Sequence, residues 1–497
     1  MTTRREILLH GAIGAGVISS GMSGIAALAQ VAPPKRRSLK GLAWNDPIVA
    51  TYRDAVGIMK QKPLSDPFNW VTMSQIHGFD PENFHFCPHG DWYFLPWHRA
   101  YTAMYERVVR KLTGNTAFAM PYWDWTANPL MPSVFLNPLT PNGKTNWLCV
   151  TDVGKTRSWS PSEPMPPEIV GPLVLKKILG TVGYENFGTS RNKAQTNLDP
   201  SWVTAGGGSQ GVLEASPHNN VHNNIGGWMP TASSPRDPLF FMHHANIDRI
   251  WALWNQTHGN SNDPLWTGMP FTKNFVNADG SFWSPKVSDL FVPEKLGYTY
   301  GLPAKASASP KMMALNEKFS VLFAASGTTP IPGIATVSVP NTAAATADRP
   351  LEIAIVVSPT ALSAVKRRPP SGSGLHAMAE MESSAGGTHA LAFLRDVVIT
   401  DPRATLFRIF IDADGISAAT PITDPHYVGT FGVFHASHMG HGKLPSFALD
   451  LTDALQRTKS AATGKIRLQI VPVTSDGDAG ALGTAAPSSV EVSFVTN

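Results

Sequence analysis

The chain is poor in cysteine, in charge and in long apolar runs, and each shortage excludes a class of protein. Only Cys87 and Cys149 occur among 497 residues, which excludes a small fold held by many disulfides. Charged residues make up 15% and the formal net charge is +4, which argues against a nucleic-acid partner. Past the N-terminus, no stretch approaches the roughly eighteen apolar residues of a membrane-spanning helix.

The N-terminus has the pattern of an export signal. Thr3-Arg4-Arg5 precedes a weakly apolar run from Ile7 to Leu28, which ends in Ala27-Leu28-Ala29. Paired arginines, a glycine-interrupted apolar run and small residues before a cleavage site are typical of twin-arginine signals. We therefore expect residues 1–29 to be removed. The mature protein should be periplasmic or secreted, with no membrane partner after signal removal.

Histidine is plentiful, with sixteen residues, and some fall into two ordered sets. His218 and His222 are four apart, so on a helix they share one face. A second helical segment, 237–254, adds His243-His244, and His77, His89 and His98 form an upstream set. Imidazoles without interleaved carboxylates favour copper or zinc over a di-iron site, whose helices carry Glu-x-x-His.

The surrounding residues resemble the tyrosinases, the type-3 dicopper polyphenol oxidases. The resemblance runs from about Lys40 to Gly301 and includes Cys87-Pro88-His89, Pro121-Tyr122-Trp123-Asp124-Trp125 and Tyr298-Thr299-Tyr300. It implies two copper ions, O2 as co-substrate and small phenolic substrates. The implied reactions are ortho-hydroxylation of monophenols and oxidation of o-diphenols to o-quinones. The implied copper ligands are His77, His89, His98, His218, His222 and His244.

Adjacent His243 and His244 face different directions on a helix, so periodicity alone does not choose between them. The resemblance assigns the ligand to His244 and makes His243 a buried neighbour. It also implies a thioether between Cys87 and the ring of His89, whereas a Cys87–Cys149 disulfide is the alternative in an oxidising compartment.

Two interpretations stand for Glu214, four residues before His218. A carboxylate there can simply favour the helix start. The resemblance instead gives Glu214 a catalytic role: with Asn219 it would hold a water that deprotonates an incoming phenol.

Three other functions share parts of this pattern. A catechol oxidase without monophenolase activity would use the same copper ligands, and so would a haemocyanin-like oxygen carrier. A zinc hydrolase would also use imidazoles, although zinc sites usually stop at three or four ligands. Copper content and oxygen uptake on mono- and diphenols separate these alternatives.

The pattern predicts a mainly α catalytic core, a helical bundle at residues 30–304, and a C-terminal antiparallel β-sandwich-like domain at 305–497. Core helices are expected over 46–60, 69–76 and 97–112, with Ser216 capping the helix of His218 and irregular structure over 128–217. Strands are expected at 320–323, 351–357, 406–411 and 466–472, with a single short helix at 450–459.

The C-terminal domain resembles the shielding domain of latent polyphenol oxidases. We expect it to act as a lid, with the plug in loop Ser371–Gly387 or loop His435–Lys443. The second loop has two interpretations, a histidine-bearing surface loop or a copper-delivery site. The resemblance places Thr231 and Ser234 near the positions that gate the site, in the loop 223–235. No bulky aromatic occupies the latter part of this loop, which predicts an open site.

Overall fold

The computed structural model describes residues 32–79, 83–302, 310–325, 334–340, 343–346, 349–366, 387–400, 405–434, 444–458, 464–474 and 483–496. The expected export signal, 1–29, and the copper-delivery loop therefore lie outside the described residues. Residues 34–497 form one compact unit. No helix in the described ranges combines the length and apolarity needed to cross a membrane.

The N-terminal two thirds of the unit are mainly helical. Its helices are α1 (Pro47–Gln61), α2 (Trp70–Gln75), α3 (Phe94–Thr113), α4 (Pro167–Val170), α5 (Pro172–Gly180), α6 (Tyr184–Phe187), α7 (Asn219–Ile225), α8 (Leu239–Trp254) and α9 (Pro264–Thr267). Short 3-10 turns lie at Ser133–Phe135, Pro200–Thr204, Ser234–Arg236, Val287–Leu290 and Pro293–Leu296, and a π-turn at Glu214–His218 leads into α7. Small strand pairs are formed by β1 (Gly78–Phe79) with β2 (Asn83–Phe84), and by β4 (Phe275–Val276) with β5 (Phe282–Trp283).

Local chemistry sets the boundaries of these helices. The side chain of Asp46 accepts a hydrogen bond from the backbone of Ile48, and Pro47 occupies the first turn of α1. Asn69 caps α2 in the same way. Helix α3 ends at Gly114, whose φ of 69° is left-handed and suits glycine. The expected helices are confirmed, although α3 begins three residues earlier than predicted.

The C-terminal third is a two-sheet sandwich. Its strands are β6 (Ile334–Ser338), β7 (Leu351–Val356), β8 (Thr388–Arg395), β9 (Val398–Ile399), β10 (Thr405–Ile411), β11 (Tyr427–Phe431), β12 (Ser446–Asp450), β13 (Lys465–Thr474), β14 (Ala485–Ala486) and β15 (Ser489–Thr496). One sheet has the order β11-β10-β13-β7 and the other β3-β12-β8-β15-β6, where β3 is Ser209–Gln210. Apolar side chains of both sheets share one buried cluster. The predicted fold class, a helical core with a C-terminal β region, is confirmed.

The sandwich and the helical part are joined through buried contacts. Strand β3 comes from the helical part and pairs in parallel with β12, in the register Gln210 to Phe447. Arg408 on β10 forms two hydrogen bonds of 2.6 and 2.8 Å with Glu168 on α4, and both side chains are buried. Bidentate pairs of this kind fix geometry as well as adding attraction. The β region is therefore firmly docked.

Several local predictions were wrong. The expected strand 320–323 lies inside α10 (Pro310–Ala325), where Met312, Leu315, Phe319 and Phe323 recur at helical spacing and pack together. The C-terminal region has further helices, α11 (Pro359–Lys366) and α12 (Thr452–Arg457), rather than a single one.

The stretch expected to be irregular, 128–217, contains α4, α5 and α6. Ser216 caps no helix, because it lies within the π-turn and helical backbone begins before it.

Candidate dicopper centre

The upstream histidines converge although they come from different elements. His77 follows α2, His89 lies in the loop before α3, and His98 lies in the second turn of α3. Together with Cys87 they are buried, and one ligand atom from each lies within 4.8 Å of all the others.

The downstream histidines form a matching group. His218 ends the π-turn, His222 lies one turn later on α7, and His243 and His244 come from α8. All four are buried, with ligand atoms again within 4.8 Å of one another. The two groups adjoin, since the rings of His98 and His244 stack with centroids 4.3 Å apart.

Hydrogen bonds fix the ring tautomers. The Nδ1 atoms of His77, His98 and His222 lie 2.6, 2.7 and 2.7 Å from the backbone oxygens of Ala232, Phe94 and Met229. A carbonyl oxygen can only accept, so each ring carries its proton on Nδ1 and keeps a lone pair on Nε2. These rings are therefore set to bind through Nε2.

Burial keeps the rings neutral. Desolvation lowers the pKa of every histidine in both groups, and for most of them neighbouring imidazoles lower it further. The pKa of His77 falls to about 3. Neutral imidazole is the form that binds a metal.

Unpartnered nitrogens show that the groups fit metal ions. In the part of the chain that the structure describes, Nε2 of His77, His89 and His218 is buried without a hydrogen-bond partner. Nε2 of His222 and Nε2 of His244 face each other at 3.2 Å. Buried polar atoms normally have partners, and copper between such nitrogens would supply them. Imidazole sets without carboxylate suit copper.

Trp125 distinguishes His243 from His244. Its indole nitrogen donates to Nδ1 of His243 at 3.2 Å. The neutral ring of His243 therefore carries its proton on Nε2 and offers no lone pair there. This favours His244 as the ligand, which stays a prediction.

Cys87 lies against two rings of the first group. Its sulfur is 3.6 Å from Nδ1 of His89 and 3.3 Å from Nε2 of His98. Burial raises the pKa of this thiol. Both cysteines are free thiols in the structure, and that of Cys149 points at the carbonyl oxygen of Leu136. The thioether to His89 stays a prediction.

Glu214 is buried next to the first group. One carboxylate oxygen accepts from the backbone N–H of Gly90 at 2.8 Å, and the other contacts the hydroxyl of Thr189. Burial raises the pKa of Glu214 to about 8, against the opposing effect of these two hydrogen bonds. The carboxyl group is thus mostly neutral at pH 7.

The side chain of Asn219 is held by partners other than the carboxylate of Glu214. Its side-chain oxygen lies 2.9 Å from Nδ1 of His218, and its amide nitrogen donates to Gln210 and to the backbone oxygen of Gly432. The catalytic roles expected of Glu214 and Asn219 stay predictions.

The site is covered, so the expectation of an open site was wrong for this state. Phe434 is buried, and its ring centroid lies 4.6 Å from that of His222, 5.0 Å from His89 and 5.7 Å from His218. The covering side chain comes from the C-terminal region rather than from the mouth loop, where Thr231 and Ser234 are themselves buried. Phe434 lies three residues after the end of β11, and no local sequence pattern marks it as a cover.

The covering segment is held by hydrogen bonds to the π-turn and α7. The backbone N–H of Gly432 donates to the oxygen of Ala215 at 2.8 Å, and Asn223 donates to the oxygen of Val433 at 2.8 Å. A Cβ on residue 432 would lie 1.7 Å from the side-chain oxygen of Asn220, so any residue other than glycine would require that side chain to shift. Phe434 directly precedes loop His435–Lys443, which lies outside the described residues, as does 371–386 of the other expected plug loop.

A buried ionic network next to the histidine groups was not predicted from the sequence. Asp248 lies one turn after His244 and pairs with Arg99, the neighbour of His98. Arg36 bonds to both Asp248 and Glu106, at 3.1 and 2.9 Å. Truncating one partner of such a network leaves a buried charge unpaired. The network ties α3 to α8, which carry one histidine of each group.

The part of the chain that holds both histidine groups matches a known family model. The family model described as the common central domain of tyrosinase matches residues 67–257. This part of the chain is similar to the tyrosinase central domain. This domain includes both histidine groups, and tyrosinase-family proteins bind two copper ions. The two groups fit that pair.

Relatives of the tyrosinase domain include bacterial and plant proteins. Tyrosinase HcTyr1 of Hahella sp. (strain CCB-MM4) is 28% identical over 51% of this chain and 61% of its own length. The chloroplastic polyphenol oxidase of Spinacia oleracea is 30% identical over 54% of this chain and 47% of its own length. The chain thus spans about half to three fifths of these relatives.

A solved structure extends the likeness to the whole fold. Recombinant latent aurone synthase, a polyphenol oxidase, superposes with a TM-score of 0.63 at 20% identity, covering 94% of this chain and 90% of that one. At this identity the match shows the fold alone, including the arrangement of a helical core with a C-terminal β region.

Proposed function

We propose that this chain is a copper-dependent phenol oxidase. With O2 as co-substrate it would hydroxylate monophenols in the ortho position and oxidise o-diphenols to o-quinones. The observation that carries the proposal is the pair of adjoining, buried histidine groups, in which Nε2 of His77, His89 and His218 lacks a protein partner and Nε2 of His222 faces Nε2 of His244. A bound copper pair would supply dioxygen binding and two-electron redox chemistry.

The proposed ligands are His77, His89 and His98 for one copper and His218, His222 and His244 for the other. The protein's part is to present these rings as neutral, fixed Nε2 donors. Backbone carbonyl oxygens bond to the opposite ring nitrogens and restrict ring rotation. Loss of such a partner typically lowers metal affinity about 10–100-fold. Phe84, Phe94 and Phe240 pack against the rings with centroid distances of 4.4, 4.6 and 4.1 Å to their nearest histidines. These aromatic walls exclude water from the site.

The proposed base is Glu214, assisted by Asn219. In its ionised form a carboxylate oxygen of Glu214 would take the hydroxyl proton of a monophenol through an intervening water. Catechols are more acidic and depend less on this base. General-base assistance is typically worth about 10²–10⁴-fold.

A second candidate, catechol oxidation alone, is favoured by the contacts of these two residues. Both oxygens of Glu214 already contact donors of the protein, and both amide hydrogens of Asn219 are already used. In this arrangement neither side chain has a free hydrogen-bonding atom directed at an incoming phenol.

The deciding experiment measures copper per chain and oxygen uptake with catechol and with tyrosine. Two coppers with uptake on both substrates would support the tyrosinase activity, and uptake on catechol alone would select the second candidate. Reversible oxygen binding without turnover would indicate an oxygen carrier. Zinc in place of copper would overturn the proposal.

We further propose that the enzyme is exported through the twin-arginine pathway and acts in the periplasm or outside the cell on small phenols. The support is the sequence 1–29 alone. Replacing Arg4 and Arg5 together by lysine should retain the protein in the cytoplasm, and the exported chain should begin at Gln30. Unchanged export of the double variant would refute this.

A further inference from the structure

Both amide hydrogens and the amide oxygen of Asn219 form hydrogen bonds. Its Oδ1 lies 2.9 Å from Nδ1 of His218. Its Nδ2 donates to Oε1 of Gln210 at 2.8 Å and to the backbone oxygen of Gly432 at 2.9 Å. Gln210, Asn219 and His218 are all fully buried, so water does not substitute for a lost bond.

The two acceptors determine which end of the amide faces His218. If the amide of Asn219 turned over, its oxygen would face the oxygens of Gln210 and Gly432, and its NH2 would face Nδ1 of His218. Burying oxygen against oxygen without a hydrogen is costly. With Oδ1 facing the ring, Nδ1 of His218 must donate, which leaves the lone pair on Nε2.

Gln210 is itself held firmly. It lies on β3, where it pairs with Phe447 of β12 on one side and with Thr189 on the other. These pairings fix the backbone position of Gln210. A group that orients another side chain requires such a rigid support.

We infer that Gln210 is a positioning residue for the second histidine group. Together with the backbone oxygen of Gly432, it fixes the amide orientation of Asn219 and thereby keeps the proton of His218 on Nδ1 and the metal-binding lone pair on Nε2. The inference rests on the proposed copper assignment of His218, and it adds a residue that neither the motifs nor the spacing of histidines identifies.

The test compares two substitutions of similar size. Gln210→Met removes the acceptor, whereas Gln210→Glu keeps an acceptor oxygen whether ionised or neutral. In metal-free protein with ¹⁵N-labelled histidine, NMR reports which ring nitrogen carries the proton, and the His218 signal is assigned by its loss in His218→Gln. We expect Nδ1–H in the unsubstituted chain and in Gln210→Glu, and a mixture of tautomers in Gln210→Met.

Copper retention gives a second readout. Against a competing chelator, one of the two coppers should be held about 10–100-fold more weakly in Gln210→Met, with Gln210→Glu close to the unsubstituted chain. In an Asn219→Asp background the side chain has two equivalent oxygens and needs no orienting. Adding Gln210→Met there should weaken copper retention no further.

Three results would overturn the inference: Nε2–H on His218 in the unsubstituted chain, equal copper loss in both Gln210 variants, or additive loss in the Asn219→Asp background. The first needs no Gln210 variant, so it stands even if Gln210→Met does not fold. Because the NMR measurement needs no copper, it also separates failure of this inference from failure of the proposed copper function.

Discussion

Replacing Phe434 by alanine should open the histidine site without releasing the C-terminal region. The ring of Phe434 lies over His222 and His89, with centroids 4.6 and 5.0 Å apart. The backbone around it is held separately, through Gly432 and Val433. Phe434→Ala therefore removes the cover and leaves its attachment in place. The space vacated has the size of one aromatic ring.

The magnitude follows from the packing lost. Truncating a buried phenylalanine typically costs about 3–5 kcal/mol, and about 3 kcal/mol corresponds to about 10²-fold in a two-state equilibrium. If entry of a phenol requires displacing this ring, Phe434→Ala should raise kcat/KM for catechol by up to about 10²-fold. Tyrosine is larger than the vacated space and should gain less than catechol does.

Oxygen uptake at matched copper content measures this effect. Phe431→Ala is the control, because Phe431 lies on the same segment and is equally buried, but packs against Phe407 and Phe447 inside the sandwich. The control should lower the melting temperature and leave kcat/KM nearly unchanged. Equal activation by both substitutions, or none in a folded, copper-loaded Phe434→Ala protein, would refute the assignment of Phe434 as the cover.

Three further outcomes are expected. His244→Gln should lose one copper and the oxidase activity, whereas His243→Gln should retain copper better, and the reverse order on metal analysis would exchange their roles. Intact mass after copper loading and turnover should be two hydrogens lower than that of the reduced chain, with the change in a peptide holding Cys87 and His89 and resistant to thiol reductant; recovery of two free thiols would show a disulfide instead. The raised pKa of Glu214, about 8, leaves roughly a tenth of it ionised at pH 7, so tyrosine hydroxylation should increase as pH rises through 8 while catechol oxidation changes less. Glu214→Gln should abolish that increase and lower the tyrosine rate more than the catechol rate, and an equal loss of both would make Glu214 structural.

Truncation after Pro303 is a less selective test of the lid than Phe434→Ala. Leu406, Phe410 and Val471 of the C-terminal sheets belong to the same buried cluster as the helical core, so their removal would expose apolar surface. Loss of stability and gain of access would then occur together.

Much of the fold could be predicted from local patterns. Asp46 and Asn69 mark the helix starts that the structure has, and the alternating runs 351–357, 406–411 and 466–472 coincide closely with β7, β10 and β13. The error at 320–323 has a simple cause. Three consecutive apolar residues, Val321 to Phe323, fit a strand or a helix equally well, and only the longer spacing from Met312 to Phe323 separates the two structures.

The histidine spacing predicted a metal site, because residues a turn apart on one helix share a face whatever surrounds them. The sequence could not show which ring nitrogen each histidine offers. That depends partly on carbonyl oxygens distant in the chain, such as that of Ala232 for His77, and partly on side-chain orientations that the fold decides, such as that of Asn219 for His218. Only the tertiary structure decided that Phe434 covers the site and that Gln210 orients Asn219. The cover results from the docking of the C-terminal sheets on β3 and α7, a non-local pairing that no window of sequence contains. Gln210 and Asn219 are close in sequence, but the pairing of β3 with β12 is what holds Gln210 in place.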